Sequence, residues 1–167
     1  MNIFILDEDN DLNARYYVDK HIVKIPLEIA QILCSVHHIC GEKSDSIPYR
    51  LTHKNHPICV WARQSLSNYI WICRIGLSIC KEYTYRYGKR HKSELVINWC
   101  LENLPKVNDI GLMQFVQAMP DEYKNPDPIK AYRSYYMGEK RHLFSWKKRE
   151  VPLWITREKI DEMDCTK

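Results

Sequence analysis

The stretch LNARYYVDKHIVKIPLEIAQILCSVHHIC, residues 12–40, decides the fold. Its aliphatic side chains recur at steps of three and four residues, which is the period of one buried helix face. These residues are Ile22, Ile25, Ile29, Leu33 and Val36. Asn10 or Asp11 can cap the start of the helix, and Gly41 can end it. Pro26 is expected to kink this helix, because proline lacks the amide hydrogen that the helix would use.

The same pattern predicts three further helices. One begins at Pro57, with Asn55 or His56 near its cap, and runs to Tyr87 before Gly88. The next covers residues 93–103, and the last runs from Pro128 to about Lys148. We therefore predict an all-α fold, a compact bundle of three to four helices.

Other segments complete this prediction. Residues 1–6 are apolar and form a short extended N-terminal arm. Residues 42–50 are a loop, and residues 105–128 form a connection long enough to suggest function. Residues 1–155 are predicted to be a single helical domain, and residues 156–167 a frayed tail.

Composition narrows the class of protein. Of 167 residues, 45% are apolar and 28% charged, which is typical of a globular chain, and five glycines are few for a fold of many hairpins. Seven cysteines without a preceding signal peptide indicate reduced thiols and a cytoplasmic protein. The apolar stretch from Tyr69 to Cys80 contains Arg74 and is too short for a membrane span. No membrane association and no cofactor are predicted.

The first segment that could carry chemistry lies in the opening helix. Five ionisable residues lie within three helical turns: Asp19, Lys20, His21, Lys24 and Glu28. A lysine that is desolvated or near other cations can become a nucleophile or form a Schiff base. The imidazole can serve as an acid or base near neutral pH. We take all five as candidate catalytic residues; the alternative is an exposed face with Lys24–Glu28 pairing.

The second segment is His53-Lys54-Asn55-His56-Pro57, with Cys59 close by. The spacing of His53, His56 and Cys59 resembles zinc ligands, but a fourth ligand at recognisable spacing is missing, so no metal is predicted. A helix start beside His53, Lys54 and His56 favours a phosphate site, with a plain capping turn as the alternative.

Two segments rich in basic and aromatic residues predict contacts with nucleic acid. The chain has a net charge of +4, with an acidic start and basic clusters in these two later segments. Aromatic rings stack on bases, and Lys and Arg meet phosphates. The first segment offers Tyr83, Arg86, Tyr87, Lys89, His91 and Lys92. The second offers Tyr132, Arg133, Tyr136, Lys140, Arg141 and His142. The alternatives are solvated helix faces for the cations and core positions for the tyrosines.

The order of these features over residues 1–140 resembles the phage-type pyrimidine-dimer DNA glycosylases, also called endonuclease V, and small uncharacterised proteins of tailed phages. The shared features are the apolar N-terminus, the helix with Pro26, His56-Pro57 before a long helix with Trp61, Glu82 with Arg86, His91-Lys92-Ser93, and the aromatic cluster 132–136. The resemblance implies a helical bundle that flips a base out of DNA. It also implies an N-terminal α-amine that attacks the sugar, forming a Schiff base, with a glutamate on the first helix assisting.

The sequence departs from that family in two places. Asn2 follows Met1, and a side chain of this size normally blocks removal of the methionine, so the amine of the second residue is in doubt. Aligning Pro26 with the family's helix proline puts Lys24 where the glutamate should be, with Asp19 and Glu28 about a turn away. Lys24 or Lys20 could then supply the amine.

Three functions follow from these residues. The first is a DNA-acting enzyme of base-excision type, a glycosylase or abasic-site lyase acting on damaged or modified pyrimidines. The second is a transferase or hydrolase that acts on nucleotides or modified bases without cleaving the strand. The third is a module that binds nucleic acid or protein without catalysis, in which Asp19, Lys20, His21 and His56 would be structural. In a phage-encoded protein, the compartment would be the cytoplasm of the host bacterium.

Overall fold

The protein is described by a computed structural model over residues 2–41 and 46–155. Within these residues it contains helices and no strand, which confirms the all-α bundle. The helices are α1 (Asn10–Tyr16), α2 (Asp19–Ile39), α3 (Pro57–Ala62), α4 (Leu66–Tyr87), α5 (Ser93–Glu102) and α6 (Pro128–Glu139). Short 3-10 turns cover Asp121–Tyr123 and Arg141–Leu143. The predicted tail 156–167 and part of the predicted loop, 42–45, lie outside the described residues.

The first predicted helix is divided into α1 and α2 by an extended pair, Tyr17 and Val18. The break is stabilised because the buried Arg86 donates to the carbonyls of Arg15 and Tyr17, which would otherwise lack partners. The predicted cap was also wrong, since the carboxylate of Asp9 accepts the Leu12 amide hydrogen and caps α1. Helix α2 continues through Pro26 from Asp19 to Ile39.

The second predicted helix is also divided, at residues 63–65 between α3 and α4. Here Ser65 donates to the carbonyl of Gly111, and the Leu66 amide donates to the carbonyl of Asn108. The long connection after α5 thus supplies carbonyl acceptors at the point where the helix is interrupted. The predicted boundaries at His56, which caps α3, and at Gly88, which ends α4 with a φ of +69°, are confirmed.

Helix α2 lies at the centre of the bundle and packs against α3, α4 and α5. The predicted apolar face of α2 is buried, with Ile22, Ile29, Leu33 and Val36 fully so. Helices approach closely at Gly76 of α4, where an added Cβ would lie 2.9 Å from Ile29 Cγ2. Helix α6 ends at Glu139, earlier than predicted, because the chain then turns at Lys140 into Arg141–Leu143.

The N-terminal arm is buried inside the bundle. Ile3, Phe4, Ile5 and Leu6 are each at most 4% exposed. Buried backbone groups need partners, and in this arm side chains supply them. The hydroxyl of Tyr17 accepts from the Phe4 amide and donates to the Phe4 carbonyl. This anchoring fixes where the chain begins relative to α2.

Helix α2 has the length and apolar composition of a helix that could cross a membrane. However, 67% of its most apolar stretch is buried within the bundle, and the core helix of a soluble protein has the same length and composition. Its apolar side chains are therefore accounted for by packing. The predicted apolar stretch, Tyr69 to Cys80, is likewise a core segment of α4.

Candidate functional site

A cavity of about 370 Å³ opens beside the N-terminal arm and α2, and its volume lies within the usual range of small-molecule pockets, roughly 300–1,000 Å³. Its polar lining consists of Asn2, Lys20, His21, Lys24, Glu28 and Lys140. Phe4, Ile25 and Tyr135 add apolar surface. We call this space the α2 cavity. It brings together four of the five predicted catalytic residues, together with Lys140 from the second basic segment.

Glu28 is the carboxylate of the α2 cavity and is 7% exposed. Its Oε2 accepts the backbone N–H of Asn2 at 3.2 Å, and its Oε1 pairs with Nζ of Lys24 at 3.3 Å. Residue 2 is itself fixed, because Asn2 Nδ2 donates to the Ala118 carbonyl and the Tyr132 hydroxyl donates to Asn2 Oδ1. The Glu28 carboxylate thus contacts both the backbone of Asn2 and the Lys24 amine.

His21 forms an uncharged part of the cavity wall. Burial, reinforced by the positive charges of Lys140 and Lys24, lowers the pKa of His21 to about 4. Its ring stacks on Phe4 with centroids 4.7 Å apart, and its Nδ1 lies 2.7 Å from the Tyr136 hydroxyl. The Tyr136 hydroxyl accepts from the Val18 amide, and its own buried proton is assigned to the bond with Nδ1, which places the imidazole proton on Nε2. His21 can therefore donate a hydrogen bond to a ligand near neutral pH.

Three lysines surround this uncharged wall. Lys20 and Lys24 lie on α2, where both are exposed, and Lys24 is the one held by Glu28. Lys140 comes from the end of α6, with its Nζ 4.9 Å from the centre of the Tyr135 ring. Three cations against one carboxylate favour an anionic ligand. The aromatic surface beside them suits a ring that carries such an anion.

Asp19, the fifth predicted catalytic residue, does not line the α2 cavity. Its carboxylate accepts from Ser145, from the Lys147 amide and from Arg86. Burial disfavours the charged form of Asp19, but these hydrogen bonds outweigh it and lower the pKa. Asp19 therefore links the start of α2 to the last turn of α4 and to residues 145–147.

Arg86, predicted to bind nucleic acid, is fully buried. It donates to Glu82 at 2.7 Å and to Asp19 at 2.9 Å, and Arg149 also pairs with Glu82. Burial alone would raise the pKa of Glu82, but the two arginines lower it. A sequence containing Arg86 in a basic segment gives no sign of this burial, and the structure corrects the prediction to a core ion-pair network.

The tyrosines of the second aromatic segment are also core residues. Tyr132 and Tyr136 are fully buried, and they hydrogen-bond to Asn2 and His21. They contact these cavity residues from the core of the bundle, and a fully buried ring cannot stack on a base. Arg133 is partly buried, donates to the Leu6 carbonyl and lies 5.2 Å from the Trp154 ring. Arg141 and His142 are exposed and lie outside the lining of the α2 cavity.

The first basic segment lies next to the other side of α2. Lys89 and Lys92 are exposed, and His91 Nε2 lies 3.0 Å from the Val23 carbonyl. Tyr83 is nearly buried beneath His91, and Tyr87 is partly covered, with Lys147 Nζ 5.1 Å from its ring. This segment forms a cavity of its own, separate from the α2 cavity.

The histidine segment before α3 lies apart from both cavities. The side chain of His56 caps α3 by accepting the Ile58 amide hydrogen, while His53 and Lys54 are exposed. A capping turn therefore accounts for His56. Across residues 2–41 and 46–155, no three His, Cys, Asp or Glu side chains are grouped as they would be around a metal ion.

Sequence reasoning missed Asn2, Phe4 and Tyr135 as cavity residues. Asn2 and Phe4 lie on the same side of the extended arm, but this spacing alone does not indicate which helix they face. Comparison with known proteins adds no further assignment: no family model, no curated protein and no solved structure matches the chain. The resemblance to pyrimidine-dimer glycosylases thus rests on the order of residues and motifs in the sequence.

Proposed function

We propose that this protein is a DNA-acting enzyme of base-excision type that accepts a nucleotide of a damaged or modified pyrimidine in the α2 cavity. The observation that carries the proposal is the contact of Glu28 with both the backbone N–H of Asn2 and the Lys24 amine. An amine beside a carboxylate, in a pocket with cations and aromatic surface, suits Schiff-base chemistry on a phosphorylated sugar.

In the proposed reaction, Lys24 gives a proton to Glu28, and the neutral amine nitrogen bonds to C1′ of the deoxyribose as the bond between C1′ and the base breaks. The base leaves with that electron pair and takes up the proton from Glu28. The nitrogen then gives a second proton to Glu28, which passes it to O4′ as the C1′–O4′ bond breaks and the nitrogen lone pair forms the cationic imine. Glu28 is placed to accept the amine proton from Lys24 and to stabilise the positive charge that follows.

The other residues of the cavity have supporting roles. Lys20 and Lys140 provide positive charge for the phosphates that flank the nucleotide. His21, neutral because its pKa lies at about 4, can donate a hydrogen bond to a base or sugar oxygen. Tyr135, which lines the cavity and is only partly buried, supplies aromatic surface for a ring. Extruding a base costs free energy, which such contacts offset.

Cytoplasmic action on DNA fits the state of the thiols. Five cysteines within the described part of the chain are thiols outside any disulfide: Cys34, Cys59, Cys73, Cys80 and Cys100. Cys34 and Cys100 lie with their sulfur atoms 3.9 Å apart, in a hydrogen-bonding contact and not a disulfide. Action in the cytoplasm, that of a bacterial host if the protein is phage-encoded, is therefore part of the proposal.

Borohydride trapping on a duplex with one abasic site tests this function. The aldehyde of that site condenses with an amine, releasing water, and borohydride reduces the imine to a stable covalent adduct. We expect an adduct of one protein per DNA, and peptide mapping identifies the amine. Lys24→Arg keeps the charge beside Glu28 but removes the nucleophile, so it should abolish the adduct.

The matched controls are Lys20→Arg and Lys140→Arg, which should retain adduct formation. Glu28→Gln should slow trapping by roughly tenfold or more. Adduct mapped to Met1 instead of Lys24 would keep the Schiff-base function but transfer the role of nucleophile to the chain terminus. If the folded wild-type protein yields no adduct, the proposed amine chemistry is wrong.

A further inference from the structure

The first half of helix α2 carries two large aliphatic side chains on its exposed surface. Val23 is 47% exposed and Leu27 is 42% exposed, although most other aliphatic residues of the helix are buried. Residues four apart lie next to each other on one face of a helix. Together they form an apolar ridge, which we call the α2 ridge. Single exposed aliphatic residues are ordinary, but this pair adjoins two cavities lined by cations.

One side of the α2 ridge belongs to the α2 cavity, through Lys20, Lys24 and Glu28 on the same helix. On the other side, the ridge itself lines a second cavity of about 390 Å³, which we call the loop cavity. The α2 ridge therefore separates the α2 cavity, which is large enough for a nucleotide, from the loop cavity, which is also lined by cations.

The loop cavity has the charge expected of a phosphate-binding surface. Its cations are Lys89, Arg90 and Lys92, and no carboxylate lines it within the described chain. Arg90 is paired with Glu94 at 2.6 Å, so Lys89 and Lys92 are the cations that remain for a ligand. The contact of His91 with the Val23 carbonyl, at 3.0 Å, fixes this loop to the ridge.

We propose that the α2 ridge is a wedge that enters the base stack beside the extruded nucleotide, while Lys89 and Lys92 hold the strand on its far side. This inference rests on the proposed function, since it assumes that the α2 cavity accepts a nucleotide of duplex DNA. From Val23 to Leu27 the helix rises about 6 Å, close to the roughly 7 Å that two stacked base steps span when one base has left the stack. Apolar wedges of this kind fill the gap that unstacking opens.

The charges on either side of the α2 ridge indicate which class of macromolecule binds it. An apolar ridge between two groups of lysines matches the apolar base stack between two phosphate backbones. A protein partner with a purely apolar patch would carry no negative charges to pair with the lysines on either side of the ridge. Charge complementarity therefore favours a nucleic-acid duplex as the occupant of this surface.

The test measures equilibrium binding without chemistry. The probe is a duplex with a tetrahydrofuran abasic analogue next to 2-aminopurine, compared with the single strand of the same sequence. The variant Val23→Gln/Leu27→Gln replaces the apolar ridge with polar side chains without weakening the helix, since Gln is at least as good a helix former as Val and about equal to Leu. Leu95→Gln on α5 is the matched control, because Leu95 is 67% exposed and lines neither cavity.

We expect the double variant to bind the duplex roughly tenfold more weakly and to lose the rise in 2-aminopurine fluorescence that reports unstacking. Single-strand binding should change by less than about twofold, since the strand has no stack to open. The Leu95→Gln variant should match the wild type in both. Equal loss on duplex and single strand, or wild-type fluorescence in the double variant, would overturn the wedge.

The result is separable from that of the trapping experiment. Ridge-dependent unstacking without any borohydride adduct would retain the wedge and refute the amine chemistry. An adduct formed equally well by the double variant on duplex DNA, with unchanged fluorescence, would retain the chemistry and refute the wedge. Wild-type protein that does not bind the duplex at all would refute both.

Discussion

The neutral His21 makes the stability of the fold depend on pH in a defined window. In the unfolded chain its pKa is about 6.5, and in the folded protein burial and the nearby lysines lower the pKa to about 4. Between these values the unfolded state binds a proton that the folded state does not. Stability contributed by neutral His21 is therefore fully present above pH 6.5 and is lost as the pH falls through 4.

The size of the effect follows from the two pKa values. A shift of one unit corresponds to about 1.4 kcal/mol, so the lowering from 6.5 to about 4 corresponds to roughly 3 kcal/mol of unfolding free energy. Urea unfolding at pH 7.5 and at steps down to pH 4 measures it. His21→Asn is the comparison, because its side-chain oxygen can accept from Tyr136 in place of Nδ1 and does not titrate.

We expect the difference between the wild-type and His21→Asn stabilities to shrink by about 3 kcal/mol from pH 7.5 to pH 4. Carboxylates with lowered pKa values, such as Asp19 and Glu82, also destabilise the fold in acid, but they do so in both proteins. The difference therefore isolates the imidazole. Parallel stability curves across this range would refute the assignment of His21 as a buried neutral group.

Three further changes test the fold. Arg86→Met should lower the unfolding free energy by about 3–5 kcal/mol in urea, since Glu82 would lose its buried partner; Arg149→Met, at the exposed edge, should cost less. Gly76→Ala should lower it by about 1–3 kcal/mol, because the new Cβ would crowd Ile29; wild-type thermal stability would contradict this. Gly88→Ala should cost about 1–2 kcal/mol through its positive φ alone, and calorimetry should show Gly88→Asn costing less.

The helical faces could be predicted because their cause is local. The spacing of Ile22, Ile29 and Leu33 follows the helical period, and burial of this face in α2 confirms it. The stop at Gly88 follows from its left-handed backbone, which glycine adopts without strain. Such features depend on residues that are close in sequence.

The divisions within the long helices could not be predicted because their causes are distant in sequence. The break at Tyr17 depends on Arg86, and the break before Leu66 depends on Asn108. Tyr17, Val18 and Ser65 are only modest helix formers, and long-range hydrogen bonds supplied by the rest of the fold decide that the helix is interrupted there. A charged residue such as Arg86 also looks the same in sequence whether it is buried or exposed.

The candidate site shows the same division between local and distant causes. Lys20, His21, Lys24 and Glu28 share one side of α2, so their proximity follows from helical spacing. Their meeting with residue 2 does not, since it requires the arm to be held by Tyr17 and Tyr132. Nothing local in the sequence marks these two tyrosines as anchors, yet they set the position of Asn2 against Glu28. The chemistry proposed for the cavity therefore depends on the core that anchors the arm, and weakening that core should impair the site before it unfolds the bundle.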